Sequence, residues 1–368
     1  MSYQYIAVAT PELQRCALAE MSAVAPGLHW LANLEQGTFL VETAQKEDVF
    51  LPALARAEPV FVKHIMPAQR RVPLARRKVD DLPILLRVAQ DLGAVRAGDH
   101  FTVQCRRVGK GFDYTAKDVE VLVGMALEAC GATPVFCDTD LRPLRGQSPT
   151  IDQYPDSELI LEDWHKVVFY YLLGDTAYAG ASTIVLSLNE HCDENRVFAR
   201  RSRDVCRSEF KLLEALRRFK VDLAPGRALD LGAAPGGWAK VLADRGLHVT
   251  AVDPATLDLK AADLPNVIHI RQRAEEFAPT GVYDLLVNDM VLPADRSAAI
   301  MLHTAPHLKY GASAIMTIKL GYHTPCDTLQ QTLATLGSAF EVVHAKCLFH
   351  NRQEATVMLR RARPEPEL

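Results

Sequence analysis

Residues 228–237 read ALDLGAAPGG, and Trp238 follows. Leu229-Asp230-Leu231 has the pattern of a strand that runs straight into a turn of small residues, Gly232-Ala233-Ala234-Pro235-Gly236-Gly237, and then into a helix. Glycine has no Cβ, so a strand ending in such a turn lets a ligand lie against bare backbone. Open α/β sheets bind nucleotides in that crevice, beyond the carboxyl ends of their parallel strands. The spacing is not GxGxxG, and no lysine follows the turn as in a phosphate-binding P-loop. A second strand, LHVTAVD at 247–253, ends in Asp253. That acid falls about 20 residues after the turn, where a carboxylate accepts hydrogen bonds from a ribose. A glycine turn and a ribose acid without a diphosphate cradle fit S-adenosylmethionine better than NAD. The expected cofactor contacts are Asp230, Gly232, Ala233, Pro235, Gly236, Gly237, Trp238, Asp253 and Asp289.

Working outward from the turn, strand patterns recur at 228–232, 247–253, 267–270, 283–289, 312–318, 341–348 and 354–360, with helical stretches between them. That alternation predicts a doubly wound, mostly parallel, Rossmann-like α/β sheet. Upstream the rhythm is that of smaller α+β units. Strands are expected at 5–9 and 38–42 around a helix at 13–24, and another strand at 59–67. A helix is expected at 82–92, a strand at 101–107, and a helix at 118–130 with Asp118 as its N-cap and Gly131 as its C-cap. The run VVFYYLL at 167–173 and residues 176–181 predict a hairpin turning on Gly174-Asp175. Tyr170, Tyr171 and Tyr178 are read as core residues of that hairpin rather than as platforms for bases. Residues 186–208 are irregular and carry Arg196, Arg200, Arg201, Arg203 and Arg207.

Composition narrows the classes. The chain has 368 residues, 49% apolar and 23% charged, with a net charge of −4. It has the apolar content for a real core and is not a bulk polycation, so a nucleic-acid site must be a local basic patch. Such patches are offered by Arg70, Arg71, Arg76, Arg77 and Lys78, by Arg106, Arg107 and Lys110, and by the arginines of 196–207. None of the eight cysteines forms a CxxC pair, and His191-Cys192-Asp193 has no second ligand pair at zinc spacing, so no metal is expected. The start, MSYQYIAVATPELQRC, lacks the charge and apolar run of a signal peptide, and no apolar run is long enough to span a bilayer. A cytoplasmic protein without a membrane partner is the expectation.

Four charged residues stand at element ends in the C-terminal half: Lys211 in SEFKL, Asp289 in LLVNDM, Lys319 in IMTIKL and Glu354 in NRQEATV. A charge straight after a buried strand is costly unless it is paired or functional. The series SEFKL, DLGAAPGGW, NDM, IKL and RQE resembles the FtsJ/RrmJ-type ribose 2′-O-methyltransferases. The resemblance implies that Lys211, Asp289, Lys319 and Glu354 are the family's Lys-Asp-Lys-Glu catalytic tetrad, with Lys319 as candidate base and Lys211 as the neighbouring cation. Burial and a second lysine lower a lysine pKa, which suits that role. IRQRAEEF at 270–277 departs from the family pattern: it lacks the acid that holds the adenine amine, and Arg273 falls near that place.

The whole-chain arrangement is similar to those family members, acting on cytidine of 23S ribosomal RNA, that carry a ferredoxin-like domain and a THUMP domain before the methyltransferase domain. The resemblance implies a ferredoxin-like subdomain at 1–57, a THUMP-like RNA-binding domain at 58–190, a linker at 191–208, an S-adenosylmethionine-dependent methyltransferase domain at 209–362 and a disordered tail at 363–368. Its implied partner is RNA, ribosomal RNA first. Transfer RNA as the target, or a non-catalytic RNA-binding protein that keeps the cofactor pocket, are the alternatives. The oligomeric state is left open.

Overall fold

The computed structural model describes residues 2–134, 165–183, 186–187 and 205–363. The chain divides into two compact units, Met1–Val197 and Phe198–Leu368. His191-Cys192-Asp193, from which no metal site was expected, most of the expected linker with Arg196, Arg200, Arg201 and Arg203, and residues 364–368 of the tail lie outside the described residues.

Unit 1 holds two sheets. The first is built from β1 (Tyr3–Val8), α1 (Gln14–Val24), β2 (His29–Glu35), β3 (Thr38–Thr43), α2 (Glu47–Arg56) and β4 (His64–Pro67). Its spatial order is β2-β3-β1-β4, and its neighbours are antiparallel, which is the ferredoxin-like βαββαβ arrangement. β4 pairs with β1 from Tyr5↔Pro67 to Val8↔His64, so this sheet runs ten residues past the boundary expected at 57. The strand expected at 59–67 is only half formed. The Glu20 carboxylate accepts the amide hydrogens of Val60 (2.7 Å) and Phe61 (2.9 Å), and this holds the approach to β4 as a loop.

The second sheet comprises β5 (Arg70–Pro73), β6 (His100–Val108), β7 (Thr133–Pro134), β8 (Lys166–Leu173) and β9 (Thr176–Thr183), in the order β5-β9-β8-β6-β7. Helices α3 (Lys78–Leu92) and α4 (Ala116–Ala129) pack on it. The β8–β9 hairpin turns where the sequence places it. Tyr170, Tyr171 and Tyr178 are buried, and the Tyr170 hydroxyl donates to the Leu85 carbonyl at 2.8 Å. α4 starts earlier than expected: Thr115 is its N-cap. Asp118 is the third residue of a capping box, accepting from the Thr115 amide while its own amide donates to Thr115 Oγ1. The two sheets meet at Gly180 of β9, where a Cβ would lie 1.8 Å from the Pro67 carbonyl oxygen.

The first described helix of unit 2 is α5 (Ser208–Arg218), whose buried residues Leu212, Ala215 and Leu216, continued by its C-cap Phe219, recur at helical spacing. Each large side chain of that stripe contributes about 1.5–3 kcal/mol on burial. Then come β10 (Arg227–Leu231), α6 (Gly237–Ala243), β11 (His248–Val252), α7 (Leu259–Ala262), β12 (Val267–Ile270), β13 (Tyr283–Asn288), α8 (Ala294–Thr304), β14 (Leu308–Lys319), α9 (Pro325–Leu336), β15 (Phe340–Lys346) and β16 (Glu354–Arg361). The sheet order is β12-β11-β10-β13-β14-β16-β15. The first five strands are parallel, with the order reversing between β10 and β13, the switch point of a doubly wound sheet. β16 enters antiparallel between β14 and β15. All seven strands lie where the alternation of the sequence places them.

Candidate active site

The glycine turn leaves β10 at the switch point. Gly232 has φ +77°, and a Cβ there would stand 2.4 Å from Met290 Cγ; Gly236 has φ +110°, and its Cβ would stand 2.6 Å from Ala261 Cβ. Only glycine satisfies both the backbone and the space. The Gly232 and Ala233 amides donate to the Val252 carbonyl, and the Pro235 carbonyl accepts from the Asp258 amide. Asp253, just past β11, accepts from the Ala234 amide (3.1 Å) and the Ala255 amide (2.8 Å), so its carboxylate is fixed against the turn. Trp238 is buried, and its indole N–H donates to the Ser208 carbonyl at 2.7 Å. Its side chain therefore ties α6 to the start of α5 within the core, and a Cβ at Gly237 would stand 2.6 Å from Cys206 Sγ and 3.0 Å from Glu209 Cγ.

Asp230 is the odd member of this turn. It is 1% exposed, and its Oδ2 has no hydrogen-bond partner. Burial, reinforced by the negative charges of Asp289 and Asp253, pushes its pKa up to about 8, against the opposing hydrogen bond from the Ala239 amide. A buried carboxyl with an orphan oxygen and two acidic neighbours could hold a cationic group.

The four charged residues meet. Lys211 Nζ lies 2.6 Å from Glu354 Oε1 and 3.3 Å from both oxygens of Asp289. Lys319 Nζ donates to Asp289 Oδ1 (2.9 Å), to Thr317 Oγ1 (2.8 Å) and to Glu354 Oε2. Each lysine thus bridges both carboxylates. The antiparallel entry of β16 explains the closure: Lys319 at the end of β14 is in register with Glu354 at the start of β16. A parallel last strand would have put Glu354 at the opposite edge of the sheet. Lys211 comes from α5, beside the apolar stripe that seats the helix.

Lys211, the residue expected as the cation, is held in its charged form. Burial on its own would lower the Lys211 pKa, but the Asp289 and Glu354 carboxylates outweigh it and hold the ammonium above its ordinary value. Burial likewise would raise Glu354, and Lys319 and Lys211 reverse that, keeping its carboxyl below the usual range. Lys211 therefore rests as an ammonium and Glu354 as a carboxylate, within a ring in which each lysine meets both acidic side chains. An ammonium has three donors, and all three of Lys319 are engaged.

Three supporting residues escape a reading of the sequence. Thr317, two residues before Lys319 on the same strand face, accepts from Lys319 and donates to Asp289 Oδ1 at 2.6 Å. Glu214, one turn after Lys211 on α5, is 3% exposed and accepts from the amides of Phe349 (2.5 Å) and His350 (3.1 Å) and pairs with His350 Nδ1 (2.8 Å). Asn351, also 3% exposed, donates to Glu354 Oε1 at 3.2 Å. Spacing alone could flag only Thr317, through the period of two on a strand.

Residues 205–321 match the family model described as FtsJ-like methyltransferase. That segment is similar to FtsJ-like methyltransferases. It contains Lys211, the glycine turn, Asp253, Asp289 and Lys319; Glu354 lies beyond the matched residues. Among similar proteins, the Ribosomal RNA large subunit methyltransferase M of Halorhodospira halophila is 40% identical over 161 residues, 42% of this chain and 47% of its own length. Proteins of the same name from Laribacter hongkongensis and Edwardsiella ictaluri are 37% identical over 171 residues and 34% over 168, each covering 42% of this chain and 47% and 45% of their own. The chain spans about half the length of the curated relatives it matches. Among the described residues, no helix is long and apolar enough to cross a membrane.

Proposed function

We propose that this chain is an S-adenosylmethionine-dependent methyltransferase that modifies a ribose 2′-hydroxyl of RNA, with large-subunit ribosomal RNA as its substrate. The observation that carries the reading is the ring of Lys211, Asp289, Lys319 and Glu354 at the same sheet edge as the glycine turn. The residues of the turn fit the cofactor: the orphan oxygen of Asp230 suits a cationic group, the two glycines leave bare backbone, and Asp253 suits a ribose. When bound, S-adenosylmethionine supplies an electrophilic methyl group.

The protein's own part is to position a hydroxyl and take its proton. Lys319 Nζ is the acceptor in this reading. To accept, it must be neutral and give up one of its three hydrogen bonds. The adjacent Lys211 ammonium favours that neutral form by like-charge repulsion. Asp289 and Glu354 then hold Lys211 and steer Lys319, and the proton taken from the hydroxyl ends on Lys319 Nζ. On unit 1, support for an RNA partner comes from Arg76 and Arg107, whose guanidiniums lie 6.0 and 5.5 Å from the Phe112 ring centroid, with Lys110 on the same loop. Other members of the basic stretches are already neutralised: Arg77 by Asp80, Lys78 by Asp118 and Arg106 by Glu35.

The test is transfer of a labelled methyl group from S-adenosylmethionine to total RNA from a strain lacking the gene. Label in large-subunit ribosomal RNA, recovered as an alkali-resistant dinucleotide, is expected, because 2′-O-methylation blocks hydrolysis of the adjoining phosphodiester. Label in a base, or none, overturns the reading; label in transfer RNA keeps the chemistry and replaces the substrate.

A further inference from the structure

Glu354 is held from a side that the ring does not explain. Its Oε1 takes Lys211 Nζ at 2.6 Å and also the Asn351 side-chain amide at 3.2 Å, while Oε2 takes Lys319. Asn351 is itself locked. Its Oδ1 accepts from the Leu348 amide (2.8 Å) and from Thr356 Oγ1 (3.0 Å), and its own amide closes a turn onto the Leu348 carbonyl (3.0 Å). Thr356 is fully buried two residues along β16 from Glu354. The same loop is tied to α5 by Glu214, which takes the Phe349 and His350 amides and His350 Nδ1. Glu214 and Lys211 share that helix, so one rigid element fixes both the loop that aims Asn351 and the lysine that meets Glu354.

We infer that Asn351, seated by Glu214 and Thr356, is a positioning residue that sets the orientation and ionisation of the Glu354 carboxylate within the ring. The inference rests on the methyl-transfer reading for its kinetic arm only. A neutral amide is suited to the task. It donates to the carboxylate without adding a charge, so it supports ionised Glu354 yet leaves the net charge of the ring unchanged. The charged groups around Glu354 are Lys211 from α5, Lys319 from β14 and, through both lysines, Asp289 after β13; on the loop side, Glu214 and His350 face one another.

The discriminating variant is Asn351→Asp. It keeps the oxygen that accepts from Leu348 and Thr356, so the turn survives, but replaces the donor facing Glu354 with a second carboxylate. Single-turnover methyl transfer should fall about 10- to 100-fold, as expected for a small displacement of a reacting group. The acid limb of the pH–rate profile should move up by about one pH unit. Melting temperature and affinity for S-adenosylhomocysteine should stay close to wild type. Independently of activity, the Glu354 carboxyl resonance, assigned by its loss in Glu354→Gln, should titrate at higher pH in Asn351→Asp. A Glu354 titration and a rate that both match wild type overturn the inference and leave Asn351 a turn residue. A shifted titration in a protein that methylates no RNA upholds the positioning role and rejects the function. If Asn351→Asp does not fold, the titration is read in Thr356→Val, which frees the Asn351 oxygen: a raised value supports the inference, an unchanged one overturns it.

Discussion

Two charge clusters share the carboxyl edge of the unit 2 sheet, and they are finished to different degrees. Around Lys319, each ammonium donor has an acceptor, and the carboxylates of Asp289 and Glu354 are each bridged by both lysines. Around Asp230, a more deeply buried carboxyl keeps an oxygen without a partner and is pushed toward its neutral form. Asp289 belongs to both neighbourhoods, as a member of the ring and as one of the charges that raise Asp230. The contrast separates two tasks. A ring tied together by its own hydrogen bonds holds its groups in a fixed geometry for a reacting hydroxyl. A buried polar atom left unmade favours whatever arrives to satisfy it. The ring suits chemistry, and the glycine turn suits capture.

The sharpest way to break this division is Lys319→Ala. Methyl transfer should fall about 10²- to 10⁴-fold, the usual span for loss of a general base, while affinity for S-adenosylmethionine stays within about twofold; single-turnover assays and calorimetry read the two quantities. A rate within a few-fold of wild type would remove Lys319 from the proton transfer. Next in size is Asp253→Ala, on the capture side. Charge-assisted hydrogen bonds contribute about 1.5–3 kcal/mol each, so cofactor affinity should drop about a hundredfold in calorimetry. Unchanged affinity would reject the ribose assignment.

A smaller effect should appear at Asp230, with opposite signs for binding and stability. A cation favours ionised Asp230, so cofactor affinity should rise with pH up to about 8, by at most tenfold per unit, and level off above. For the free protein, the folded carboxyl lies above the unfolded value of 3.8. The folded chain then holds a proton that the unfolded chain has released. Stability from this group is full below pH 3.8 and is lost as pH rises through about 8. Asp230→Asn should flatten both curves and raise the melting temperature of the ligand-free protein near pH 8 by about 5 °C. A pH-independent affinity in the wild type would show that Asp230 stays in one protonation state. The smallest change belongs to Thr317→Val. It keeps the shape of a buried strand residue but removes the hydroxyl between Lys319 and Asp289, and transfer should slow about tenfold or less, with binding unaltered. A loss as large as that of Lys319→Ala would mean that Thr317 itself contacts the substrate.

Much of this edge was legible before any coordinates. The seven strands of unit 2 announce themselves as apolar runs between helical stretches, and the small-residue turn names its own position. Asp253, Asp289 and Lys319 stand out because a charge after a buried strand needs a reason. What periodicity lacks is register. That Glu354 reaches Lys319 depends on an antiparallel strand entering between two others, and no local pattern carries that choice. Glu214 and Asn351 were missed for a related reason: polar residues on a helix and in a loop look solvated until the partners that bury them are known. The end of the first sheet was misjudged likewise, since the pairing of His64–Pro67 with β1 joins residues almost sixty positions apart. Asp118 was expected as the N-cap of α4, but the cap is Thr115 and Asp118 is the N3 acid of its capping box.

The insertion of β16 also orders events in time. It is the last strand to be synthesised among the described residues, yet it sits inside the sheet, paired through Ser313↔Arg360 to Lys319↔Glu354 on one side and to β15 on the other. A chain leaves the ribosome at about 5–20 residues per second and its early parts fold first. For a few seconds, then, a growing chain can own the glycine turn, both lysines and Asp289 while lacking Glu354, with β14 and β15 still unjoined. The ring closes only when the final strand zips home, so the architecture withholds its charge machinery from every unfinished copy.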